Sequence, residues 1–180
     1  MTTIPPSDPM QSVLDRLLAA KRVVVTAHIR PDGDALGSAL ALGGLLRRQG
    51  KTVQVALDRD EIGVAGVLVG PHVLVPTAEA DPRADLLAVV DCAVKHRMPE
   101  ALSPWVGRLP TVNIDHHPTN TRFGNAQWID AHASSTGELI WRLARQAGWT
   151  MDRKIAEALW VALITDTGRF AYEATSPTRR

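Results

Sequence analysis

The sequence has 180 residues, of which 45% are hydrophobic and 22% are charged, and its formal net charge is +1. This length suits one domain with a single sizeable core, and the near-neutral charge argues against a strongly basic, non-specific nucleic-acid binder. The single cysteine, Cys92, excludes an intramolecular disulfide, and no apolar run approaches the roughly 20 residues that span a bilayer. The polar, proline-rich N-terminus does not resemble a secretory signal, so we expect a cytoplasmic protein without a membrane partner.

The first part of the chain predicts alternating helices and strands. Residues 1–9 are expected to form a flexible tail, and 11–20 an amphipathic helix with leucines and valine on one face. The apolar, β-branched run at 22–27 predicts a strand that is buried on both faces. After a turn at 28–34, further elements are predicted: a helix at 35–49 that ends at Gly50, and a strand at 52–57.

The pattern continues after a gap at 60–80, where the sequence allows no assignment. Two more buried strands are predicted at 85–90 and 111–114. Ser135 and Glu138 form a capping box that opens a helix extending to about residue 147. Asp152 is placed to cap a last helix that ends near residue 165, and a short strand is expected at 169–173. This alternation predicts an α/β domain with a mostly parallel, Rossmann-like sheet flanked by helices.

Acidic and imidazole side chains follow the predicted strands at their carboxyl ends. In a parallel sheet these ends meet at one edge, which is where ligands bind. Asp and His supply the oxygen and nitrogen ligands that hard or borderline divalent cations prefer. Carboxylates crowded at one edge would repel one another unless cations neutralised them, so a dinuclear metal site is favoured over an empty pocket. The candidates at these ends are His28, Asp32, Asp34, Asp91, Asp115, His116 and His117, joined by Asp166 from the last helix.

Each candidate also has a structural interpretation. Asp32 and Asp34 suit turn or N-cap positions, Asp91 and Asp166 suit loop and helix ends, and the His116–His117 pair suits a surface. Their recurrence at the same edge of the predicted sheet favours the functional interpretation. Cys92 is expected to be a small buried residue beside a strand end.

Four segments together resemble motifs I to IV of the DHH phosphoesterase family. They are residues 28–38 (HIRPDGDALGS), the strand that ends in Asp91, residues 114–118 (IDHHP) and residues 165–170 (TDTGRF). Their order and spacing agree with the family over nearly the whole chain. The form of the first segment is similar to the branch of NrnA-like nanoRNases and 3′-phosphoadenosine-5′-phosphate (pAp) phosphatases, more than to RecJ exonucleases.

The resemblance implies a set of metal ligands and catalytic residues. His28, Asp32 and Asp91 would hold one metal ion, while Asp34, Asp91, His116 and Asp166 would hold the other, with Asp91 as the bridge. The ions are expected to be Mn²⁺, with Mg²⁺ or Co²⁺ as alternatives. His117 would face the scissile phosphate and act in catalysis with Asp91 and His116. Supporting or substrate-binding roles fall to Asp115, Ser38 and Arg169.

The implied activity is hydrolysis of short oligoribonucleotides or pAp by water activated between two metal ions. The expected partner is therefore a short RNA or mononucleotide, and a homodimer is left open. A pyrophosphatase or a cyclic-dinucleotide phosphodiesterase of the same superfamily is an alternative. Residues 10–173 would form the DHH domain, and 174–180 would begin an interdomain linker. The family's C-terminal DHHA1 domain is expected to be absent, so a truncated metal- or nucleotide-binding domain with little activity is another alternative.

Overall fold

The computed structural model describes residues 8–58 and 74–171, which form one α/β layer structure. Within these ranges there are six strands in a single parallel sheet, in the order β3-β2-β1-β4-β5-β6. The strands are β1 (Arg22–Thr26), β2 (Thr52–Ala56), β3 (Leu74–Val75), β4 (Leu86–Val90), β5 (Thr111–Asp115) and β6 (Ala126–Ile129). The helices are α1 (Pro9–Ala19), α2 (Gly33–Arg48), α3 (Thr136–Gln146) and α4 (Arg153–Asp166). The expected α/β class with a parallel sheet is confirmed.

The four helices contribute to the larger core, on one face of the sheet. Alternate strand residues such as Val23 and Val25 point into this core, together with apolar side chains from all four helices. Val24 points to the opposite face, where a smaller core contains Leu87, Val89 and residues of the 95–109 segment. Because side chains alternate along a strand, a continuous apolar run such as 22–27 is needed to fill both cores.

Several element boundaries differ from the predictions. Asp8 caps α1 and Pro9 begins it, so these two residues do not belong to the expected tail. Residues 1–7 lie outside the described residues. The unassigned 60–80 stretch contains β3 and a 3₁₀ turn at Thr77–Glu79, although its part before residue 74 lies outside the description. The expected strand at 169–173 is wrong for residues 169–171, which form a turn with Arg169 and Phe170 at positive φ.

The strand order places a switch point between β1 and β4. The connection after β1 leads to β2 on one side, whereas β4 continues to β5 on the other, and the carboxyl ends diverge between them. Such a crevice is the usual ligand site of an open parallel sheet. None of the helices in the described ranges is long and apolar enough to cross a membrane.

Candidate metal centre

The predicted site residues come together at the carboxyl ends of β1, β4 and β5. His28 and Asp32 follow β1, Asp91 follows β4, and the 115–117 segment ends β5. Asp91 has a φ of 51°, in the left-handed region that costs a non-glycine residue about 1–3 kcal/mol. Its backbone N–H donates to the carbonyl oxygen of Ile114 at 3.0 Å, which holds this conformation. The strained turn directs the buried carboxylate of Asp91 into the crevice.

One cluster of donor atoms surrounds the imidazole of His28, and we call it the first ligand group: His28, Asp32 and Asp91. The Nε2 atom of His28 lies 3.7 Å from Oδ2 of Asp32 and 3.6 Å from Oδ2 of Asp91. The Nδ1 atom lies 2.7 Å from the carbonyl oxygen of Ile29. Donation from Nδ1 to this carbonyl leaves Nε2 as the free ligand atom, the arrangement usual for metal-binding histidines.

A second cluster surrounds His116, and we call it the second ligand group: Asp34, Asp91, His116 and Asp166. Nε2 of His116 lies 3.3 Å from Oδ2 of Asp166, 3.8 Å from Oδ2 of Asp34 and 3.9 Å from Oδ1 of Asp91. Asp91 therefore directs Oδ2 towards the first group and Oδ1 towards the second. A carboxylate in this position is suited to bridge two cations.

The donor sets fit divalent cations. Within His28, Asp32 and Asp91, and within Asp34, His116 and Asp166, one donor atom from each residue lies within 4.8 Å of the others. Imidazole nitrogen and carboxylate oxygen together suit Mn²⁺ and similar ions. His28, Asp34 and Asp91 are buried, which strengthens the interactions among their charges, whereas the side chain of Asp32 is largely exposed to solvent.

The pKa shifts show a crowd of negative charge. Burial raises the pKa of Asp34 well above its usual range, and the charge of Asp91 raises it further, against the N–H groups of Gly137 and Thr136. Burial and the charges of Asp91 and Asp32 likewise raise the pKa of Asp166, against the opposing effect of His116. Burial alone would lower the pKa of His28, but its contacts with Asp32 and Asp91 raise it to about 10. Protons on these groups compensate for charge that a cation would neutralise.

Asp32 combines a structural and a site position. Its Oδ1 accepts from the backbone N–H of Ala35 at 3.0 Å and caps α2, while Oδ2 faces His28. Burial opposes ionisation, yet the contacts with His28 and Ala35 lower the pKa of Asp32 to about 2. Part of the amino end of α2 is thus committed to Asp32.

His117 is held by Asp115, and one of its ring nitrogens also lies within 4.8 Å of donor atoms of Asp91 and His116. Its Nδ1 lies 2.7 Å from Oδ1 of Asp115, a distance that fits donation from imidazole to carboxylate. The hydrogen bond with Asp115 raises the pKa of His117. Nδ1 of His117 also lies 3.6 Å from Oδ1 of Asp91, but the shorter bond to Asp115 occupies it. Nε2 is the ring nitrogen left for a substrate.

Asn120 completes this arrangement, and no sequence motif predicted its role. Its side-chain amide donates to Oδ2 of Asp115 at 2.6 Å and to Oδ1 of Asn113 at 2.8 Å. Burial would raise the pKa of Asp115, but the bonds from His117 and Asn120 lower it. Asp115 therefore remains a fully buried carboxylate that orients His117.

The start of α3 holds the carboxylates of both groups. The backbone N–H groups of Thr136 and Gly137 donate to Asp34 at 2.6 and 2.9 Å, and the hydroxyl of Thr136 donates to Oδ1 of Asp91 at 3.0 Å. The capping box at Ser135 predicted this helix start, although not its contact with Asp34 and Asp91, which come from distant parts of the chain. The positive end of the helix stabilises these negative charges.

The remaining predicted residues occupy different surroundings. Ser38 is fully buried and its hydroxyl donates to Oδ1 of Asp34 at 3.0 Å, which favours support of a ligand over contact with substrate. Arg169 is exposed in the turn that follows Asp166. Arg97, which the sequence did not single out, is exposed with its guanidinium 3.1 Å from Nδ1 of His28. Cys92 is buried as expected, and burial raises its pKa to about 12.

Comparison with known proteins identifies the family. Residues 22–163 match the DHH family, N-terminal domain. The chain is 30% identical over 158 residues to the bifunctional oligoribonuclease and PAP phosphatase NrnA of Bacillus subtilis, covering 86% of this chain and 49% of that protein. It is 26% identical over 163 residues to the probable manganese-dependent inorganic pyrophosphatase of Deinococcus radiodurans, covering 86% of this chain and 49% of that protein. The chain spans about half the length of these curated relatives.

Solved structures agree with this assignment. An exopolyphosphatase-related protein from Bacteroides fragilis aligns with a TM-score of 0.80 at 25% identity, covering 99% of this chain and 55% of that one. RecJ from Thermus thermophilus, solved with Mn²⁺, aligns with a TM-score of 0.53 at 19% identity, covering 92% of this chain and 25% of that one, and shows a shared fold alone. The resemblance to the DHH phosphoesterase family is confirmed, and the chain belongs to this family, of which it contains the N-terminal domain.

Proposed function

We propose that the chain is a phosphoesterase dependent on two divalent metal ions, with short oligoribonucleotides or pAp as substrates. The observation that carries this proposal is the carboxylate of Asp91, whose two oxygens face different ligand groups. A shared carboxylate is what a pair of cations needs to act on one phosphate. The substrate class is supported by the relatives named as oligoribonucleases and PAP phosphatases at about 30% identity.

The first ligand group would hold one ion and the second ligand group the other. A relative named as manganese-dependent supports Mn²⁺, and the mixture of imidazole and carboxylate donors suits the same ion. When bound, two such ions supply hydroxide near neutral pH and neutralise charge on the phosphoryl oxygens. Asp91 belongs to both ligand groups and sets the distance between them. His116 and Asp166 complete the second ligand group.

His117 would stabilise the leaving group. Asp115 accepts a hydrogen bond from Nδ1–H and raises the pKa of the ring, so that Nε2 can also carry a proton at neutral pH. That proton can pass to the leaving oxygen of the ester as negative charge develops there. Asn120 keeps Asp115 in place, so the ring of His117 is already oriented before substrate arrives.

Three further residues would support the metal ligands or contact the substrate. Ser38 and Thr136 orient the carboxylates of Asp34 and Asp91 through hydroxyl donation. Arg169 lies on the exposed turn that follows Asp166, and its guanidinium would contact a phosphate oxygen of the substrate. We place the catalytic domain at residues 10–173 and the beginning of a linker at 174–180.

The test is to measure metal binding and hydrolysis on the same preparations. We expect calorimetric titration of Mn²⁺ into metal-stripped protein to give two sites per chain, and Mn²⁺ to activate hydrolysis of a diribonucleotide or pAp. Asp91→Asn should weaken both sites and reduce hydrolysis by on the order of a hundredfold or more, since even indirect metal partners cost about 10–100-fold. Asp15→Asn, on the exposed face of α1, is the matched control.

Three results would reject the proposal in different ways. A single metal site that is indifferent to Asp91→Asn would mean that the two groups do not act together. Two sites without hydrolysis of either RNA or pAp would instead identify a metal-binding module, and cleavage of pyrophosphate alone would move the substrate class to inorganic phosphates.

A further inference from the structure

A cavity of about 670 Å³ lies beside the metal centre, at the carboxyl ends of β1, β2 and β3. Its volume falls within the range of about 300–1,000 Å³ that is typical of small-molecule sites. The polar lining residues are Asp58, Thr77, His96 and Glu100, and the apolar ones are Ile29, Met98, Pro99 and Ala101. The metal centre and this cavity therefore occupy the two sides of the same switch point.

The cavity and the first ligand group share a wall. Ile29 directly follows His28, and its backbone N–H donates to the carbonyl oxygen of Arg97 at 2.8 Å. The guanidinium of Arg97 lies 3.1 Å from Nδ1 of His28, at the junction between the two sites. In a ligand that spans both sites, with a phosphate at the ligand groups, the exposed guanidinium of Arg97 would lie next to that phosphate.

The lining combines apolar, carboxylate and imidazole groups. Ile29 is partly exposed and offers apolar surface that suits the flat face of a ring, whereas Met98 and Pro99 are buried and offer little. Asp58 and Glu100 offer carboxylate oxygens, and Asp58 is fixed by bonds from the backbone N–H and hydroxyl of Thr77 at 2.8 and 2.7 Å. Carboxylates repel a second phosphate but accept hydrogen bonds from the amino groups of a base.

We propose that this cavity is a base pocket, which receives the nucleobase of the nucleotide whose phosphate lies at the ligand groups. The inference rests on the proposed function and adds to it a binding site for the base of its nucleotide substrates. Ile29 contacts a face of the base, Glu100 accepts from its amino group, and Arg97 contacts the phosphate that joins it to the metal centre.

The experiment compares adenosine 5′-monophosphate with ribose 5-phosphate, which lacks the base. Both are titrated into the isotope-labelled full chain with Mg²⁺, and amide shifts are followed by NMR because this method detects weak binding. We expect the adenosine nucleotide to bind about tenfold more tightly, as base contacts commonly provide. It should shift the amides of Ile29, Thr77 and Ala101, whereas ribose 5-phosphate should not.

Ala101→Trp fills the cavity from its exposed lining, and Ala156→Trp on the exposed face of α4 is the matched control. Ala101→Trp should abolish the preference for the adenosine nucleotide without changing the affinity for ribose 5-phosphate, and the control should change neither. Glu100→Gln should reduce the preference for adenosine over uridine monophosphate.

Equal affinity of the wild type for the two ligands, or binding of neither, overturns the base pocket. So does a preference that survives Ala101→Trp in a folded variant. Hydrolysis of short RNA by a wild type without base preference would leave the phosphoesterase proposal standing and the base pocket rejected. Base preference without metal-dependent hydrolysis would reject the phosphoesterase and retain the pocket.

Discussion

Thr136 is the residue through which a helix start reaches both ligand groups. Its N–H donates to Asp34 and its hydroxyl to Asp91, although the three residues lie far apart in sequence. Thr136→Val keeps the shape and the N–H but removes the hydroxyl. We expect the affinity for Mn²⁺ to fall about 10–100-fold, because Asp91 loses the donor that orients it. Calorimetric titration measures the change.

Thr52→Val is a suitable control, because Thr52 is exposed at the start of β2, away from the carboxyl edge of the sheet. It replaces the same residue type with the same isostere. Unchanged metal affinity in Thr136→Val would show that Asp91 is held adequately by its strained backbone alone. The hydroxyl of Thr136 would then be a packing feature of α3.

At the scale of elements, close contact between α2 and α4 sets the position of Asp166. A Cβ atom on Gly37 would lie 2.4 Å from the carbonyl oxygen of Ala158 and 2.9 Å from the backbone nitrogen of Ala162. Backbone cannot give way as a flexible side chain does, so α4 must move. Asp166 is the last residue of α4 and would move with it.

Gly37→Ala is therefore expected to act on the metal centre from outside it. Overpacking should lower the free energy of unfolding by about 1–3 kcal/mol, even though alanine favours a helix more than glycine does. The displaced Asp166 should weaken Mn²⁺ binding at the second ligand group more than at the first. Urea unfolding and calorimetric titration measure the two effects.

Gly43→Ala, on the same helix, separates this effect from helix propensity. Its added Cβ would meet a side-chain methyl of Val55 at 2.6 Å, on the side of the sheet rather than of α4. It can strain the core, but it should leave metal binding intact. Equal loss of metal affinity in both variants would show that general destabilisation, and not the displacement of α4, weakens the site.

For the molecule as a whole, what the sequence revealed depended on local signals. Apolar runs predicted β1, β2, β4 and β5, and the motif residues that follow them predicted the metal centre. β6 was missed because the exposed edge of a sheet tolerates a short strand with a polar residue, Gln127. Arg97, Asn120 and Thr136 were missed because their partners are brought to them only by the tertiary fold.

The charge balance of the folded chain predicts how stability depends on pH without metal. The pKa values of Asp34, Asp166 and His28 are all raised, that of His28 to about 10. A group with a raised folded-state pKa stabilises the fold fully below its unfolded pKa, and this contribution is lost as pH rises through the folded value. The three shifts act in the same direction. The melting temperature of the metal-free protein should therefore decrease as the pH rises from about 6 to about 10.

Mg²⁺ should counteract this decrease of the melting temperature with pH. A bound cation neutralises the carboxylates that protons neutralise in the metal-free chain. We expect Mg²⁺ to raise the melting temperature more at about pH 9 than at about pH 6. Asp32 and Asp115 do not obscure the comparison, since their lowered pKa values act only at acid pH. His28→Gln should flatten the metal-free slope above about pH 7. An equal gain from Mg²⁺ at both pH values would mean that the carboxylates are already ionised and screened without metal, and that the crowded charge does not drive cation binding.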